Sequence, residues 1–311
     1  MAGDWERLGR VFRAEGQRPW MASHTQMAHA EPVEGSVVRI YFTCRNDQNS
    51  SRIAWLLLDL DRPDRVLDVA AEPLMTPGPL GGFDDAGVMS SWMVSEGGER
   101  RFYVIGWNIK TAVPLHNSIG YATCPADGAP AHADKWLGPV FERNPVNPFY
   151  VSCPCVLKDG EGWSMWFLCG LDWEVRGGRP LSRYTVWRAR SADGLDWSPD
   201  AEATLQLEHP GEMAIARPCV VRDGPLWRMW NCWRGDGYGY RIGYAESEDG
   251  EAWTRRDDHL VIPPSGEGFD SEMTCYPFVF DHSGERWMIY SGDAYGQGGL
   301  GLARLKRGAS A

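Results

Sequence analysis

The chain has 311 residues, a net charge of −11, 16 Trp and 36 Gly, and no run of 18 apolar residues. This acidic balance argues against a nucleic-acid binder, which needs a basic face, and against docking on an anionic membrane. The lack of a long apolar run argues against a membrane-spanning helix. The many aromatic residues and glycines favour short strands and tight turns over helices.

The first residues, MAGDWERLGRVFRAEG, contain no apolar signal segment. We therefore expect a cytoplasmic protein whose eight cysteines are reduced thiols with no disulfide framework. No His, Cys and Asp cluster has the spacing of a zinc site, so we expect no metal and no other cofactor.

Along the chain, five segments share one pattern of an apolar strand, a Gly-rich turn and an aromatic strand. They lie at 27–42, 92–106, 153–167, 217–231 and 276–290. Ser91, Pro154, Pro218 and Pro277 occupy the same place in successive copies, about 60 residues apart. A period of this length suits a blade of four strands with long loops.

The two ends of the chain complement each other. The segment WERLGRVF (5–12) is similar to WLGPVF (136–141), which lies where the outermost strand of a repeat belongs. The last repeat ends at LGLARL (300–305) without a fourth strand of its own. We therefore predict one all-β domain over 1–311, a five-bladed β-propeller with four-stranded antiparallel blades, whose ring is closed by the N-terminal strand.

Several motifs carry a family resemblance. They are the turns SADGLDW (191–197) and SEDGEAW (247–253), the strand YRIGYAES (240–247), and the segments GGFDDAGV (81–88) and FDSEMTCYP (269–277). With them the chain resembles the five-bladed propeller glycosidase superfamily of arabinanases, invertases, levansucrases and mannoside phosphorylases. Within it, the order of motifs is similar to bacterial glycosidase-like propeller proteins of polysaccharide gene clusters. The resemblance implies a propeller whose funnel acts on sugars.

The chain also departs from this superfamily. Its enzymes usually place an Asp on the first blade, an Asp on the second and a Glu on the third. Here the first segment, SHTQMA (23–28), offers His24 and no carboxylate, and the third, FYVSCP (149–154), offers none. Only the second has acids nearby, Asp84 and Asp85. A glycosidase mechanism would therefore need rearranged parts.

The catalytic candidates lie where inner strands begin, because those positions converge around a propeller axis and make the funnel the expected site. Asp270 and Glu272 are two residues apart, so on an extended strand both would project to one face. We expect Glu272 to be a general acid or base with Asp85 or Asp270 as its partner. His24 is a candidate proton-transfer group. The structural alternative is that Asp270 caps a turn and Glu272 pairs with Arg217.

The candidate substrate-binding residues offer charges, hydroxyls and aromatic faces near the same funnel. They are Asp84, Arg45, Trp107, Tyr150, Asp172, Glu212, Arg217, Arg234, Tyr238 and Tyr295. An arginine there could clamp a carboxylate, phosphate or sugar hydroxyl, and a tryptophan could stack on a sugar ring. The alternatives are a structural salt bridge from Arg217 to Glu212 or Glu272, and packing between blades for the aromatic residues.

Together these features predict a glycoside hydrolase-like enzyme that acts on a sugar, an oligosaccharide or a sugar-containing small molecule by carboxylate acid/base chemistry. Two alternatives stay open. One is a carbohydrate-binding propeller without catalysis, since two blades lack the expected acids. The other is a biosynthetic enzyme that uses the funnel for non-glycosidic chemistry, with His24 and Glu272 as its acid and base.

Overall fold

The structure is a computed structural model that describes residues 4–160, 162–257 and 261–306. The described part of the chain is nearly all-β, as predicted, and forms twenty strands. They are β1 (Trp5–Phe12), β2 (Ser23–Glu34), β3 (Val37–Arg45), β4 (Ser51–Asp59), β5 (Val66–Val69), β6 (Gly87–Glu96), β7 (Glu99–Asn108), β8 (His116–Pro125), β9 (Asp134–Lys135), β10 (Val151–Asp159), β11 (Gly162–Arg176), β12 (Arg179–Ser191), β13 (Ser198–Ala203), β14 (Glu212–Asp223), β15 (Leu226–Gly235), β16 (Tyr238–Ser247), β17 (Thr254–Arg255), β18 (Cys275–His282), β19 (Glu285–Ser291) and β20 (Leu300–Leu305).

The helical content is small. In the described residues it consists of a 3-10 turn at Gly268–Asp270 and a short turn at Asp293–Gly296, in which Ala294 and Tyr295 have positive φ angles. No helix in the described ranges is long and apolar enough to cross a membrane.

Consecutive strands pair as antiparallel meanders. The sets β2–β5, β6–β9, β10–β13 and β14–β17 each contain four strands in this arrangement. A single parallel bridge joins the first set to the second, at Ser51 and Gly87, and another joins the third to the fourth, at Tyr184 and Ala214. In the described residues the result is two eight-stranded sheets and one four-stranded sheet, none of which closes on itself.

The N-terminal strand completes the last set. β1 pairs antiparallel with β20, from Trp5 opposite Leu305 to Phe12 opposite Leu300, and the order of this sheet is β1-β20-β19-β18. Trp5 also packs edge-on against Trp230 of β15, with ring centroids 6.2 Å apart. The first and last strands of the chain are therefore neighbours in one sheet.

The innermost strand of each set faces the other sets. β2, β6, β10, β14 and β18 contact one another in this order, and β18 also contacts β2. Between the sets lies a core rich in aromatic rings, such as the pair Trp166 and Trp227 at 5.7 Å. All eight cysteines are buried and none forms a disulfide. These contacts bring the innermost strands of the five sets together, so that residues from all five can line one site.

The aspartates of the S-x-D-G-x-x-W turns accept hydrogen bonds from backbone amides of the same turns. In the first of them, Asp193 Oδ1 accepts hydrogen bonds from the amides of Leu195 (2.8 Å) and Asp196 (2.9 Å), while Ser191 Oγ accepts one from Gly194 (2.9 Å). The amide hydrogen bonds lower the pKa of Asp193. The turn at 247–253 repeats the arrangement. These acids hold turns together.

Candidate functional site

Each innermost strand carries a β-bulge, which in β6, β10, β14 and β18 lies at the repeated serine or proline and in β2 lies between Gln26 and His29. In four of the five strands a residue at the bulge has a positive φ: Met27 (56°), Cys153 (50°), Arg217 (52°) and Tyr276 (55°). Residues other than glycine adopt this region at an energetic cost and often do so at functional sites, and a bulge re-aims a side chain. Three of the four, Met27, Cys153 and Tyr276, line one cavity.

This cavity, called here the central cavity, has a volume of about 500 Å³. That size falls within the usual range for small-molecule sites. Its wall takes residues from all five sets of strands and from the loops beside them. The wall residues are Met27, Arg45, Asn49, Met89, Ile105, Trp107, Pro114, Leu115, Asn117, Tyr150, Ser152, Cys153, Leu168, Trp173, Pro180, Leu181, Ser182, Tyr184, Ala216, Arg234, Tyr240 and Tyr276.

Aromatic rings form one part of the wall, and their polar ends are fixed. Trp107 donates a hydrogen bond from Nε1 to Ser51 Oγ at 2.8 Å. Trp173 packs on Tyr150 with ring centroids 5.7 Å apart, and the hydroxyls of Tyr150 and Ser182 are 2.6 Å apart. Trp107 and Trp173 are only partly buried, so each has surface available to a ligand.

The Tyr150 ring is held against the backbone of the neighbouring strand. A Cβ on Gly170 of β11 would lie 2.5 Å from Cε1 and 2.6 Å from Cδ1 of this ring. Atoms cannot approach so closely, so only glycine leaves the ring in its place. Burial, and then the nearby Tyr184, raise the pKa of Tyr150 well above its ordinary value, so at neutral pH the side chain is a neutral hydroxyl.

Two arginines supply the charge of the wall. Arg234 donates from Nε to the Tyr184 hydroxyl at 3.1 Å, and its guanidinium lies over the rings of Tyr184 and Tyr240 at 5.4 and 5.7 Å. Arg45 donates from Nη1 to Asn49 Oδ1 at 2.7 Å. Burial lowers the pKa of Arg45, yet the ordinary pKa of an arginine is so far above neutrality that the side chain stays protonated at neutral pH.

No aspartate or glutamate belongs to the wall of the central cavity among the described residues. Within the same residues, no carboxylate lies within 4.0 Å of the Arg45 or Arg234 guanidinium. No group of three or more His, Cys, Asp and Glu residues that could hold a metal ion is found in the described part of the chain. The wall is therefore cationic, aromatic and rich in hydroxyls.

The four predicted binding residues Arg45, Trp107, Tyr150 and Arg234 lie together in this wall. His24 lies close by, because the charge of Arg45 contributes to its pKa. Burial first, and then Arg45, lower the pKa of His24 to about 4. Its Nδ1 is 2.9 Å from Ser23 Oγ, and its Nε2 is 3.3 Å from Gln297 Nε2. At neutral pH it is an uncharged, weakly basic imidazole.

The predicted acids of the second set have protein partners. Asp84 is buried and forms an ion pair with Lys135, which itself is largely buried. Asp85 accepts hydrogen bonds from Asn108 Nδ2 at 2.6 Å and from the Gly81 amide at 3.0 Å. Neither residue belongs to the wall of the central cavity.

The expectation that Asp270 and Glu272 share one face of an extended strand is wrong. Asp270 ends the 3-10 turn Gly268–Asp270, and the following strand begins only at Cys275. Asp270 is buried, where it accepts hydrogen bonds from Ser265 (2.7 Å) and Tyr290 (2.9 Å), whereas Glu272 is exposed. Neither lines the central cavity. The catalytic roles of Asp270 and Glu272 stay predictions.

Arg217 and Glu212 have different partners, so the alternative of a salt bridge from Arg217 to Glu212 or Glu272 is not found among the described residues. Arg217 is fully buried and donates to Ser91 O (2.7 Å), Ser91 Oγ (2.8 Å) and Ala28 O (2.9 Å). It thereby joins β14 to β6 and β2. Glu212 instead pairs with Arg255 at 2.8 Å.

The remaining candidates surround the cavity without lining it. Asp172 precedes Trp173 and pairs with Arg183 at 3.0 Å. Tyr238 lies edge-on to Trp233 at 5.7 Å. Tyr295 is exposed, has a φ of 58°, and meets Tyr240 edge-on at 6.0 Å.

Two proteins of Mycobacterium tuberculosis are similar to this chain over nearly its whole length. They are Rv1502 of strain ATCC 25618 / H37Rv and MT1551 of strain CDC 1551 / Oshkosh, each 40% identical over 303 residues, which cover 97% of this chain and 99% of the relative. The chain belongs to the family of Rv1502. No protein-family model matches it.

Solved structures show the fold of this Rv1502-family member. A glycoside hydrolase superposes with a TM-score of 0.75 at 15% identity, covering 98% of this chain and 92% of that chain. A protein of the GH130 family of mannoside phosphorylases gives 0.70 at 14%, covering 99% and 95%. The α-L-arabinofuranosidase PaAbf62A from Podospora anserina, in complex with cellotriose, gives 0.69 at 10%, covering 99% and 98%. The chain therefore has the fold of glycoside hydrolase-like propellers.

Sequence reasoning missed much of the wall of this family member. Cys153 and Tyr276 directly precede the repeated prolines, and this position is the signal that could have revealed them. Tyr184 lies in β12 and Tyr240 in β16, the third strands of their sets. The signal for Asn49 is its place in the loop after β3, beside Arg45.

Proposed function

We propose that this chain is a five-bladed β-propeller that binds a sugar or a sugar-containing small molecule in its central cavity. The central cavity carries the proposal, because its wall combines two partly exposed tryptophans with fixed hydroxyl, amide and guanidinium groups. Aromatic faces can cover the C–H face of a sugar ring, while fixed polar groups meet its hydroxyls.

The blade count rests on the strand pairing. Each set of four antiparallel strands would be one blade, and β1 would be the fourth strand of the fifth blade, beside β20. The contacts of the innermost strands run from β2 through β6, β10 and β14 to β18 and back to β2. A ring of five blades explains this order.

The wall favours binding over hydrolysis by two carboxylates. Glycoside hydrolysis by the usual route needs two carboxyl groups on either side of the scissile bond. The described wall offers none, and Asp85 and Asp270 are held by their own partners outside it. We therefore propose sugar binding as the main function of the central cavity and hydrolysis as the second candidate.

A second candidate, hydrolysis or glycosyl transfer with Glu272 as general acid or base, is favoured by the exposure of Glu272. The residue lies four positions before the wall residue Tyr276, and its side chain is open to solvent. A substrate that extends beyond the cavity could meet this carboxylate. The partner carboxylate would then have to come from Asp85 or from outside the wall.

The test compares three proteins against a panel of sugars by calorimetric titration, with mass detection of cleaved products. They are the unaltered chain, Glu272→Gln, and the double variant Trp107→Ala with Trp173→Ala. We expect the tryptophan variant to lose about five- to 150-fold in affinity, since each of the two stacked rings contributes about 0.5–1.5 kcal/mol and 1.4 kcal/mol is tenfold, and Glu272→Gln to bind as the unaltered chain does. Unchanged binding by the tryptophan variant would contradict the proposal. Cleavage that Glu272→Gln abolishes would establish the second candidate.

A further inference from the structure

We infer that the ligand of the central cavity is an anionic sugar, one that bears a phosphate or a carboxylate, and that Arg45 and Arg234 receive its oxyanion. This inference rests on the proposed function and adds the charge of the ligand. It starts from an imbalance of charge, because the cavity wall holds two guanidinium groups and, among the described residues, no carboxylate.

Three acids near the cavity, Asp172, Asp236 and Asp293, are already paired with other groups. Asp172 pairs with Arg183 at 3.0 Å and Asp236 with Arg176 at 2.5 Å. Asp293 accepts hydrogen bonds from the backbone amides that follow Asp270, at 2.7–3.0 Å. These pairings leave the wall arginines without a carboxylate of the described residues.

Arg45 has donor capacity that the protein leaves unused. Nη1 donates to Asn49, but the buried Nε has no hydrogen-bond partner among the described residues. An arginine presents five N–H donors in a planar fork that matches a carboxylate or a phosphate. Burying a charged donor without a partner is costly. Because Arg45 lines the cavity, the N–H groups of its guanidinium that reach the cavity are available to an oxyanion.

Arg234 is held in place before any ligand arrives. The Tyr184 and Tyr240 rings lie under its guanidinium, and the Tyr184 hydroxyl accepts from its Nε. The hydroxyls of Tyr184 and Tyr240 are themselves hydrogen-bonded to each other. A charge fixed in this way meets an anion at little further cost in side-chain entropy.

The net charge of the chain is opposite in sign to the charge of the cavity wall. The protein carries −11 overall, so a cationic cavity is not a by-product of a basic surface. A cavity with low-dielectric walls strengthens the attraction between its charges and an anion, compared with an exposed site. The cavity should therefore bind an anionic sugar more tightly than the corresponding neutral sugar.

The experiment titrates the intact chain with glucose, galactose and mannose, each as the neutral sugar, the 1-phosphate and the uronic acid, and with inorganic phosphate alone. Ionic strength is held constant. We expect at least one anionic sugar to bind tenfold or more tighter than its neutral parent, since a charge-assisted hydrogen bond is about twice as strong as a neutral one. The phosphate and uronate series show which oxyanion the site prefers.

The variants are Arg45→Gln, Arg45→Lys and Arg234→Lys, with Arg190→Gln as a matched control. Arg190 is half exposed, pairs with Asp200 and Glu251, and lies outside the cavity. We expect Arg45→Gln to abolish the tenfold preference, Arg45→Lys and Arg234→Lys to retain part of it, and the control to retain all of it. Unfolding midpoints identify any variant that fails to fold. If one of the lysine variants fails to fold, the sugar preference of Arg45→Gln decides whether the ligand is anionic.

Failure of the anionic-ligand inference and failure of the proposed sugar binding give different results. Equal binding of neutral and anionic sugars, or a preference that survives Arg45→Gln, would overturn the anionic ligand and leave sugar binding in place. Binding of inorganic phosphate to which no sugar adds affinity, or no binding of any probe, would overturn the proposed function together with this inference.

Discussion

Ionisable side chains around the cavity fall into two kinds. The acids Asp84, Asp85 and Glu212 are bound by basic or hydrogen-bond-donating groups of the protein, whereas the wall arginines bind uncharged partners and have no carboxylate partner among the described residues. A sequence shows that an acid lies near an inner strand, but it does not show which base reaches it. Lys135, for example, comes to Asp84 from β9, 51 residues further along the chain.

The pair of Asp84 and Lys135 gives a prediction on stability. Replacing Lys135 by Met should lower the free energy of unfolding by about 3–5 kcal/mol, because a buried carboxylate loses its only described ion-pair partner. The double variant with Asp84→Asn should recover part of this loss. Denaturant titration measures both, and a double variant no more stable than Lys135→Met would contradict the pairing.

His24 gives a prediction on pH dependence. Its pKa is about 4 in the folded protein, against about 6.5 in an unfolded chain. The unfolded state therefore binds the proton more tightly, so this stabilisation is complete above pH 6.5 and is lost as the pH falls towards 4. The variant His24→Gln should lose less stability over this window than the unaltered chain.

The comparison is made by denaturant titration at pH 7, 5.5 and 4.5. The buried His29, whose pKa is also lowered, is present in both proteins and contributes the same slope to each. Identical pH dependences for the two proteins would show that His24 is not the group described here.

The strand bulges explain both the success and the failure of sequence reasoning at the level of elements. The recurrence of Ser91, Pro154, Pro218 and Pro277 located the innermost strands. Simple alternation along a strand does not describe these positions, since it would place Cys153 and Cys155 on one face. The bulge turns Cys153 into the cavity wall and leaves Cys155 in the core between sets. A bulge is set by pairing with a neighbour, which a single strand sequence does not reveal.

Gly170 gives the prediction at this scale. Gly170→Ala should displace the Tyr150 ring, lower the free energy of unfolding by about 1–3 kcal/mol through overpacking, and weaken sugar binding. Gly162→Ala on the same strand is the control, because the nearest atom to its Cβ, Ser191 O, lies 3.8 Å away. Equal stability and affinity of the two variants would contradict the account of Tyr150.

At the scale of the whole molecule, the ends of the chain determine how the last sheet is completed. The similarity of 5–12 to 136–141 predicted that the N-terminal strand belongs with the last repeat, and β1 does pair with β20. Ion pairs between Asp4 and Lys306 and between Glu6 and Arg304 accompany the strand. The sequence could reveal this pairing because the repeat that ends at 300–305 lacks a fourth strand and the segment 5–12 is similar to one.

Removing residues 1–12 should therefore lower the unfolding midpoint and promote aggregation, because the edge of β20 and the face of Trp230 become exposed. The control is the full chain with Asp4→Asn and Glu6→Gln, which should unfold nearly as the unaltered chain does, since exposed ion pairs contribute little. Thermal scans with light scattering measure both. A truncated chain with an unchanged midpoint would contradict a structural role for β1.

We infer that a sugar bearing an oxyanion binds in the central cavity, whose wall includes Trp107, Trp173, Arg45 and Arg234. The most direct measurement is a crystal structure of the chain with the tightest-binding sugar phosphate or uronate of the panel. We predict ligand density in the central cavity, with oxyanion oxygens within hydrogen-bonding distance of Arg45 or Arg234. Density for the ligand elsewhere on the molecule, with the cavity filled by water alone, would contradict it.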